Sequence, residues 1–312
     1  MALAFVFPGQ GSQYVGMGRE LYEQYEEARE IFTKADQVLG FPLTDLCFNG
    51  PAEELNQTIN TQPAVLTVSV AALAVWEKLS GVKPVAVAGH SLGEYSALVA
   101  AGSLAFADAV SLVRKRGQYM QEAVPVGAGG MAALIGLSGA AARELCQKAS
   151  SSGIVEAVNL NSPGQVVIAG DNNGLKAAAE LAAAAKAKCI PLSVSAPFHS
   201  SLMRPAGLRL EAALAGINLA DPLVPVIANV TAASVGTGAE IRALLVKQVS
   251  SPVRWEESVT RLIASGVDAI LEIGPGKVLV GLVKKINRKM PTANVETPAS
   301  FEKALALSGE VS

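Results

Sequence analysis

The sequence predicts an α/β fold with a large parallel sheet and a smaller inserted unit. Short apolar segments typical of buried strands alternate with longer helical segments, an order that favours a parallel sheet. The chain has 312 residues, beyond the ~250–300 residues at which one core begins to divide. A stretch in the middle has a different order of strands and helices, which indicates a second, smaller unit.

The larger unit begins with an apolar strand at residues 3–7 and a Gly-rich loop at 8–12. A second buried strand is predicted at 84–88, and a tight turn at 89–93 separates it from an Ala-rich helix. The pattern further predicts helices at 19–39, 64–79 and 104–123, and strands at 224–228 and 269–273, the last of which leads into a helix that runs to residue 286.

The smaller unit covers residues 127–194, with the Gly-rich stretch 127–130 as a hinge. Its predicted order is β-α-β-β-α-β, which is ferredoxin-like: strands at 131–136, 155–160, 165–169 and 190–194, and helices at 140–149 and 174–187. We therefore expect a large subdomain formed by 1–126 and 195–312, and a small subdomain formed by 127–194. The last dozen residues are expected to be weakly ordered.

Composition excludes several classes of protein. Half of the residues are apolar, 17% are charged and the net charge is −2, which argues against a disordered or nucleic-acid-binding chain. The apolar N-terminus is too short for a signal peptide, and the longest helical apolar run, about 65–76, is shorter than the ~20 residues of a membrane span. We expect a cytoplasmic monomer with three reduced cysteines, Cys47, Cys146 and Cys189, and no metal site.

The most informative motif is GHSLG at residues 89–93. It matches G-x-S-x-G and lies between a predicted strand and a predicted helix, the context of a nucleophile elbow. Such a turn exposes the Ser91 hydroxyl, and the amide groups at the start of the helix, including that of Leu92, can stabilise an oxyanion. An ordinary Gly-rich turn is the alternative.

A nucleophilic serine needs a base. The chain has two histidines, His90 and His199. His90 adjoins Ser91 in sequence, so its side chain projects in a different direction, and His199 is the better candidate. A purely structural histidine is the alternative. Neither Asp268 nor Glu272 is singled out as an orienting acid, so a backbone carbonyl is an equally good partner for the imidazole N–H.

Arg116 lies on the apolar face of the predicted helix 104–123, in line with Val113 and Met120. A buried arginine needs an anionic partner, and its planar fork suits a carboxylate. Spacing alone does not decide between a substrate carboxylate and a structural ion pair, for example with Glu122.

Two further features have competing interpretations. The loop at residues 8–12 fits neither nucleotide-binding pattern, so the amide of Gln10 is better assigned to the second donor of an oxyanion hole. The basic cluster Lys284, Lys285 and Arg288 is typical of a solvated helix end, and a docking patch for an acidic carrier protein is the alternative.

Six segments together resemble one family. They are FVFPGQGS at 5–12, TQPA at 61–64, GHSLGEYS at 89–96, NSPGQ at 161–165, PVRW at 252–255 and EIGPG at 272–276. In this order they are similar to the malonyl-CoA:acyl carrier protein transacylases of bacterial fatty-acid synthesis, and the match extends to about residue 290.

The resemblance implies an α/β-hydrolase-like core with a ferredoxin-like insert. It implies that Ser91 is the nucleophile, that His199 is the base, and that Arg116 binds the malonyl carboxylate. The amides of Gln10 and Leu92 match the family's oxyanion hole, and Gln248 matches the position whose backbone carbonyl holds the histidine. Phe198 resembles the malonyl-selective pattern of related polyketide acyltransferases, in which the ring crowds an α-methyl group.

The expected reaction therefore takes malonyl-CoA as acyl donor and acyl carrier protein as acceptor, through a malonyl-serine intermediate, without a metal or redox cofactor. A trans-acting polyketide loading enzyme shares this chemistry. A serine thioesterase or hydrolase has a similar site, since water replaces the thiol in the second step. A non-catalytic carrier-binding module is disfavoured by the intact set of Ser91, His199 and Arg116.

Overall fold

The protein has an α/β architecture with two separate sheets. The computed structural model describes residues 1–194 and 196–309, and within this part of the chain one sheet has six strands and the other has four. The strands are β1 Leu3–Phe7, β2 Ala86–Gly89, β3 Gly129–Ile135, β4 Val155–Ser162, β5 Gln165–Asp171, β6 Lys188–Pro191, β7 Val226–Ile227, β8 Ser234–Val235, β9 Ala269–Ile273 and β10 Thr292–Val295.

The large sheet has the strand order β10-β9-β1-β2-β7-β8. All neighbouring pairs are parallel except β7 with β8, which is antiparallel. Strand β1 is buried along its whole length. Leu3, Phe5 and Phe7 pack into one apolar cluster and Ala4 and Val6 into another, so helices cover both faces. Continuous apolar strands of this kind are typical of parallel sheets.

Fourteen α-helices connect and cover these strands in the described residues. They are α1 Arg19–Gln24, α2 Glu26–Leu39, α3 Leu43–Asn49, α4 Ala52–Leu55, α5 Thr58–Ser80, α6 Gly93–Ala100, α7 Phe106–Glu122, α8 Gly139–Ala149, α9 Asn172–Ala184, α10 Arg204–Leu214, α11 Gly238–Gln248, α12 Trp255–Ala264, α13 Val278–Ile286 and α14 Pro298–Ser308.

Helix α5 is longer than the sequence predicts. The apolar pattern predicts a start at residue 64, but the helix begins at Thr58, because Thr61 and Gln62 are polar residues that are nevertheless buried. With 23 residues it is long and apolar enough to cross a membrane by length and composition, and 83% of its most apolar window is buried inside the protein.

The small sheet has the order β4-β5-β3-β6, with every neighbouring pair antiparallel. Helices α8 and α9 lie on one face and enclose an apolar cluster that includes Leu134, Leu145 and Ile168. Residues that point to the other face, such as Met131 and Val158, join the core of the large sheet. The small sheet is thereby fixed against the large one.

Other elements also differ from the sequence-based expectation. The helix predicted at 19–39 is two helices, because Tyr25 adopts an extended backbone and its ring lies 6.3 Å from the ring of Phe301, a contact that local sequence does not encode. The strand predicted at 190–194 lies at Lys188–Pro191, since pairing with β3 sets its register. The helix predicted at 174–187 begins two residues earlier and ends at Ala184.

The C-terminal segment is more ordered than predicted. Strand β10 extends the large sheet, and α14 follows with a capping box formed by Thr297 and Ser300. Phe301 and Ala304 are buried in the main core, which anchors the helix. The prediction of a weakly ordered end is therefore wrong up to residue 309, and its last part, 310–312, lies outside the described residues.

Candidate active site

The turn between β2 and α6 has the geometry of a nucleophile elbow. Ser91 has a left-handed backbone with φ 53°, which costs free energy for a residue with a Cβ. The flanking glycines are required by contact: a Cβ on Gly89 would lie 1.9 Å from the carbonyl carbon of Gly93, and a Cβ on Gly93 would lie 2.0 Å from the carbonyl oxygen of Phe7. The turn therefore lifts the Ser91 side chain above the carboxyl ends of the parallel strands.

The structure brings Ser91 and His199 together. Ser91 Oγ lies 2.7 Å from His199 Nε2, and His199 Nδ1 lies 2.9 Å from the main-chain oxygen of Gln248. A carbonyl can only accept, so Nδ1 carries the proton and Nε2 is free to accept the proton of the serine hydroxyl. His199 also has a left-handed backbone, with φ 63°.

His199 is 3% exposed. Burial, with the positive charge of Arg116 as a second cause, lowers its pKa from 6.5 to about 3. The imidazole of the resting protein is therefore neutral at neutral pH, which is the form that acts as a base.

The remaining candidates for the base and its partner lie elsewhere. His90 Nε2 is 2.8 Å from Asn161 Oδ1, and its ring packs near Trp255. Asp268 accepts the backbone N–H of Ala2, and Glu272 accepts the first amides of α13. Neither acid bonds to His199, and the carbonyl of Gln248 occupies the position of the third residue of a triad.

Arg116 is 1% exposed and reaches the same site from α7. Its guanidinium donates to Gln62 Oε1 at 2.7 Å, to Gln248 Oε1 at 3.0 Å and to Ser91 Oγ at 3.2 Å. The alternative of an ion pair with Glu122 is wrong, because Glu122 pairs with Arg209 at the surface.

The charge of Arg116 lacks a direct counter-ion. Within residues 1–194 and 196–309, no carboxylate oxygen lies within 4.0 Å of its guanidinium nitrogens. Three neutral oxygens accept hydrogen bonds from the guanidinium instead of a carboxylate, although burial disfavours an uncompensated charge. The arrangement leaves a buried cation beside Ser91 that is suited to an anionic group of a ligand.

Two backbone amides beside Ser91 are also without a protein acceptor in the described part of the chain: those of Gln10 and Leu92. Both residues line a cavity of about 100 Å³ together with Ser91, Arg116, Phe198 and His199. The Ser91 N–H, in contrast, donates to Asn229 Oδ1 at 2.7 Å. The free amides are therefore the available donors for an oxygen that develops negative charge in this cavity.

The basic cluster on α13 lies near a neighbouring groove. Lys285 Nζ donates to Gln165 Oε1 at 2.7 Å, and Gln165 lines a cavity that also contains Gln10 and His90. Lys284 Nζ donates to the carbonyl of Met290 at 2.6 Å. Lys285 therefore bonds to a residue that lines this cavity.

Three buried residues of the site were not predicted from the sequence: Gln62, Glu94 and Asn229. Gln62 and Glu94 lie inside two of the segments that carry the family resemblance, whereas Asn229 lies in none of them. Their contacts depend on the sheet and on helices distant in sequence, so only the segment similarity could have pointed to the first two.

Comparison with known proteins identifies the class of the chain. Residues 4–300 match the family described as the acyl transferase domain. The match covers almost the whole chain, and the protein belongs to this family.

Its relatives are more specific. The malonyl CoA-acyl carrier protein transacylase of Bacillus subtilis is 52% identical over 305 residues, which covers 97% of this chain and 96% of the relative. The crystal structure of an acyl-carrier-protein S-malonyltransferase from Burkholderia pseudomallei aligns with TM-score 0.96 and 50% identity, over 98% of this chain and 100% of that one. These relatives confirm the family predicted from the sequence.

A second solved structure contains a partner. It is a type II polyketide acyl-carrier protein in complex with its malonyl-transacylase, which has 45% identity and TM-score 0.96 over 98% of this chain and 100% of that one.

Proposed function

We propose that this protein transfers a malonyl group from malonyl-CoA to the pantetheine thiol of an acyl carrier protein, through a malonyl ester on Ser91. The observation that carries the proposal is the position of Arg116: its guanidinium lies 3.2 Å from Ser91 Oγ and has no carboxylate partner among the described residues. A malonyl group provides a carboxylate two bonds from the carbonyl that serine attacks.

In the first half-reaction, Ser91 Oγ attacks the thioester carbonyl while His199 Nε2 takes its proton. The carbonyl of Gln248, 2.9 Å from Nδ1, keeps the imidazole in the tautomer required and stabilises the cation that forms. The amides of Gln10 and Leu92 donate to the oxyanion. When the tetrahedral intermediate collapses, the C–S bond breaks and coenzyme A leaves with the proton from His199.

In the second half-reaction, the carrier thiol loses its proton to His199 and attacks the malonyl ester. The same donors bind the oxyanion, and the C–O bond to Ser91 breaks as the serine recovers its proton. Arg116 binds the malonyl carboxylate between the two steps with a two-pronged geometry. Burial of His199 and Arg116 limits attack by water.

Phe198 contributes to the choice of acyl group. It is 6% exposed and lines the cavity that contains Ser91 and Arg116. A ring in this position restricts the space for an α-methyl group, so we expect methylmalonyl-CoA to be a poor donor.

We also propose a structural classification of the chain. The parallel sheet with an elbow after β2 supports an α/β-hydrolase-like core, formed by residues 1–126 and 195–312. Residue 195 and residues 310–312 of this subdomain lie outside the described residues. The strand order β4-β5-β3-β6 with two helices on one face supports a ferredoxin-like small subdomain at 127–194. We assign the protein to the cytoplasm, as a monomer without a cofactor.

The proposed carrier is that of fatty-acid synthesis, in line with the names of the relatives at about 50% identity. A polyketide carrier is the alternative, and it is favoured by the complex that contains such a carrier. Both partners present the same pantetheine thiol, so the chemistry at Ser91 is the same for both.

The test is a transfer assay with purified enzyme, malonyl-CoA and the holo form of a fatty-acid carrier protein. We expect a malonyl mass increase on the holo carrier, and none with the apo carrier or with Ser91→Ala. A polyketide carrier is assayed in parallel, and a higher kcat/KM for that carrier would reassign the pathway. Release of free malonate without any acylated carrier would contradict the proposal and indicate a hydrolase.

A further inference from the structure

A buried hydrogen-bond network under the elbow involves residues that the proposed mechanism does not use. Asn229 is 1% exposed and follows β7, the neighbour of β2 in the sheet. Its side chain bonds on both sides of the turn: Oδ1 accepts the N–H of Ser91 at 2.7 Å, and Nδ2 donates to the carbonyl of Gly89 at 2.6 Å.

These two bonds enclose the strained part of the backbone. Ser91 is held at φ 53°, and a non-glycine residue keeps such a conformation only where its surroundings impose it. Because the Ser91 N–H is bound by Asn229, this amide is not available to an oxyanion. The bond orients the His90–Ser91 peptide, which precedes the peptide that carries the Leu92 amide.

Asn229 is itself held from two directions. Its own N–H donates to Glu94 Oε2 at 2.9 Å, and its carbonyl accepts from the N–H of Arg254 at 3.0 Å. Glu94 is 3% exposed and lies in the first turn of α6, directly after the elbow. The asparagine therefore has little freedom to release the turn.

Glu94 extends the network to the other catalytic groups. Its Oε2 also accepts from Gln248 Nε2 at 2.9 Å, and that same nitrogen donates to the carbonyl of Ser91 at 3.0 Å. Gln248 in turn holds His199 through its main-chain oxygen and Arg116 through its side-chain oxygen. Glu94 Oε2 thus connects Asn229, which holds the Ser91 turn, to Gln248, which holds His199.

We propose that Asn229 is a positioning residue that fixes the Ser91 turn for acyl transfer, and that Glu94 supports it by accepting hydrogen bonds from Asn229 and Gln248. This inference rests on the proposed malonyl transfer, because acylation of Ser91 is the step it affects. Neither side chain contacts the cavity that contains Arg116 and Phe198, so their role is to place Ser91 and not to bind the acyl group.

The test is the pre-steady-state burst of coenzyme A release when enzyme is mixed with malonyl-CoA. The burst amplitude counts active molecules, and the burst rate constant reports attack by Ser91. We expect Asn229→Ala to lower the rate constant about 10- to 100-fold, since a misplacement of about 1 Å can cost 10²-fold. The concentration of malonyl-CoA at half-maximal rate should stay unchanged, because the contacts of Arg116 remain.

Ile227→Ala is the matched control. Ile227 is buried in β7, two residues before Asn229, and packs in the apolar cluster that contains Ala4 and Val6. This variant should lose stability and burst amplitude but keep the wild-type rate constant. If Asn229→Ala also keeps the wild-type rate constant, the positioning role is wrong. If Asn229→Ala does not fold, Asn229→Asp keeps the size and replaces the donor to Gly89 with a carboxylate oxygen that cannot donate. An unchanged rate constant for Asn229→Asp would likewise overturn the inference.

The supporting role of Glu94 is tested by a conservative pair. Glu94→Gln retains an oxygen that can accept from Asn229 and Gln248, so it should keep the rate constant within about 3-fold of wild type. Glu94→Ala leaves the Asn229 N–H without an acceptor and leaves Gln248 Nε2 with the carbonyl of Ser91 alone, so it should lower the rate constant at least tenfold. Equal rate constants for the two variants would overturn this role. Absence of any burst in the wild-type enzyme would instead reject malonyl transfer itself.

Discussion

Replacement of Arg116 by alanine should change the selectivity of the protein more than its general activity. In the structure the guanidinium is buried, lacks a carboxylate partner among the described residues and lies 3.2 Å from the nucleophilic oxygen. A malonyl carboxylate bound there gains two charge-assisted hydrogen bonds, each worth roughly 1.5–3 kcal/mol. An acetyl group gains neither of them.

The expected magnitude follows from this difference. Loss of both bonds removes about 3–6 kcal/mol from malonyl transfer, which corresponds to about 10²- to 10⁴-fold in kcat/KM. Arg116→Ala also leaves Gln62 Oε1 and Gln248 Oε1 without their donor, but this cost applies to every acyl donor. It cancels in the ratio of malonyl to acetyl turnover, which is therefore the quantity to measure.

The assay compares kcat/KM for malonyl-CoA and acetyl-CoA in the wild type, in Arg116→Ala and in Arg114→Ala. Arg114 is a matched control, because it lies on the same helix and its guanidinium stacks on Phe41 at 4.0 Å, away from the site. Its replacement should leave the ratio unchanged. If Arg116→Ala lowers both activities by the same factor, the carboxylate role is refuted and Arg116 only stabilises the site.

Three further outcomes are expected. The pKa of His199 is lowered from 6.5 to about 3, so the base is protonated only under more acidic conditions than an ordinary histidine. The burst rate constant should therefore stay level from pH 8 to about 5.5. A fall in the rate constant near pH 6.5 would contradict this expectation. Phe198→Ala should raise kcat/KM for methylmalonyl-CoA relative to malonyl-CoA about tenfold or more, because one methyl group in a pocket changes discrimination by about 1–3 kcal/mol. An unchanged ratio would show that the Phe198 ring does not select against the α-methyl group. Lys285→Glu should raise the KM for carrier protein and leave the KM for malonyl-CoA unchanged. The exposed control Lys176→Glu should alter neither KM. An unchanged carrier KM for Lys285→Glu would favour the interpretation of the basic cluster as a solvated helix end.

The elements that the sequence predicts best are those with a local cause. The apolar segment at residues 3–7 forms β1 within the predicted bounds, and GHSLG at 89–93 forms the elbow, because hydrophobic runs and glycine requirements are local. The α/β class follows from the alternation of such segments. Helix breaks and strand ends follow less well, as Tyr25 shows, since its extended backbone accompanies packing against the distant Phe301.

The residues of the candidate site also differ in how far the sequence predicts them. Ser91 and His199 could be proposed from the motif and from the small number of histidines, and burial of Arg116 follows from the periodicity of its helix. The contacts of Gln248, Glu94 and Asn229 could not be predicted in this way. Each depends on hydrogen bonds between residues more than 130 positions apart in the sequence. For Gln248 the resemblance supplied a position that no spacing rule would select.

In the proposed mechanism Ser91 carries the malonyl group between donor and acceptor. Intact mass spectrometry of the protein after brief exposure to malonyl-CoA, with Ser91→Ala beside the wild type, detects that intermediate. We expect a single malonyl adduct that is absent in Ser91→Ala and is discharged when holo carrier protein is added. An adduct that persists in Ser91→Ala, or no adduct with any acyl-CoA, would contradict it.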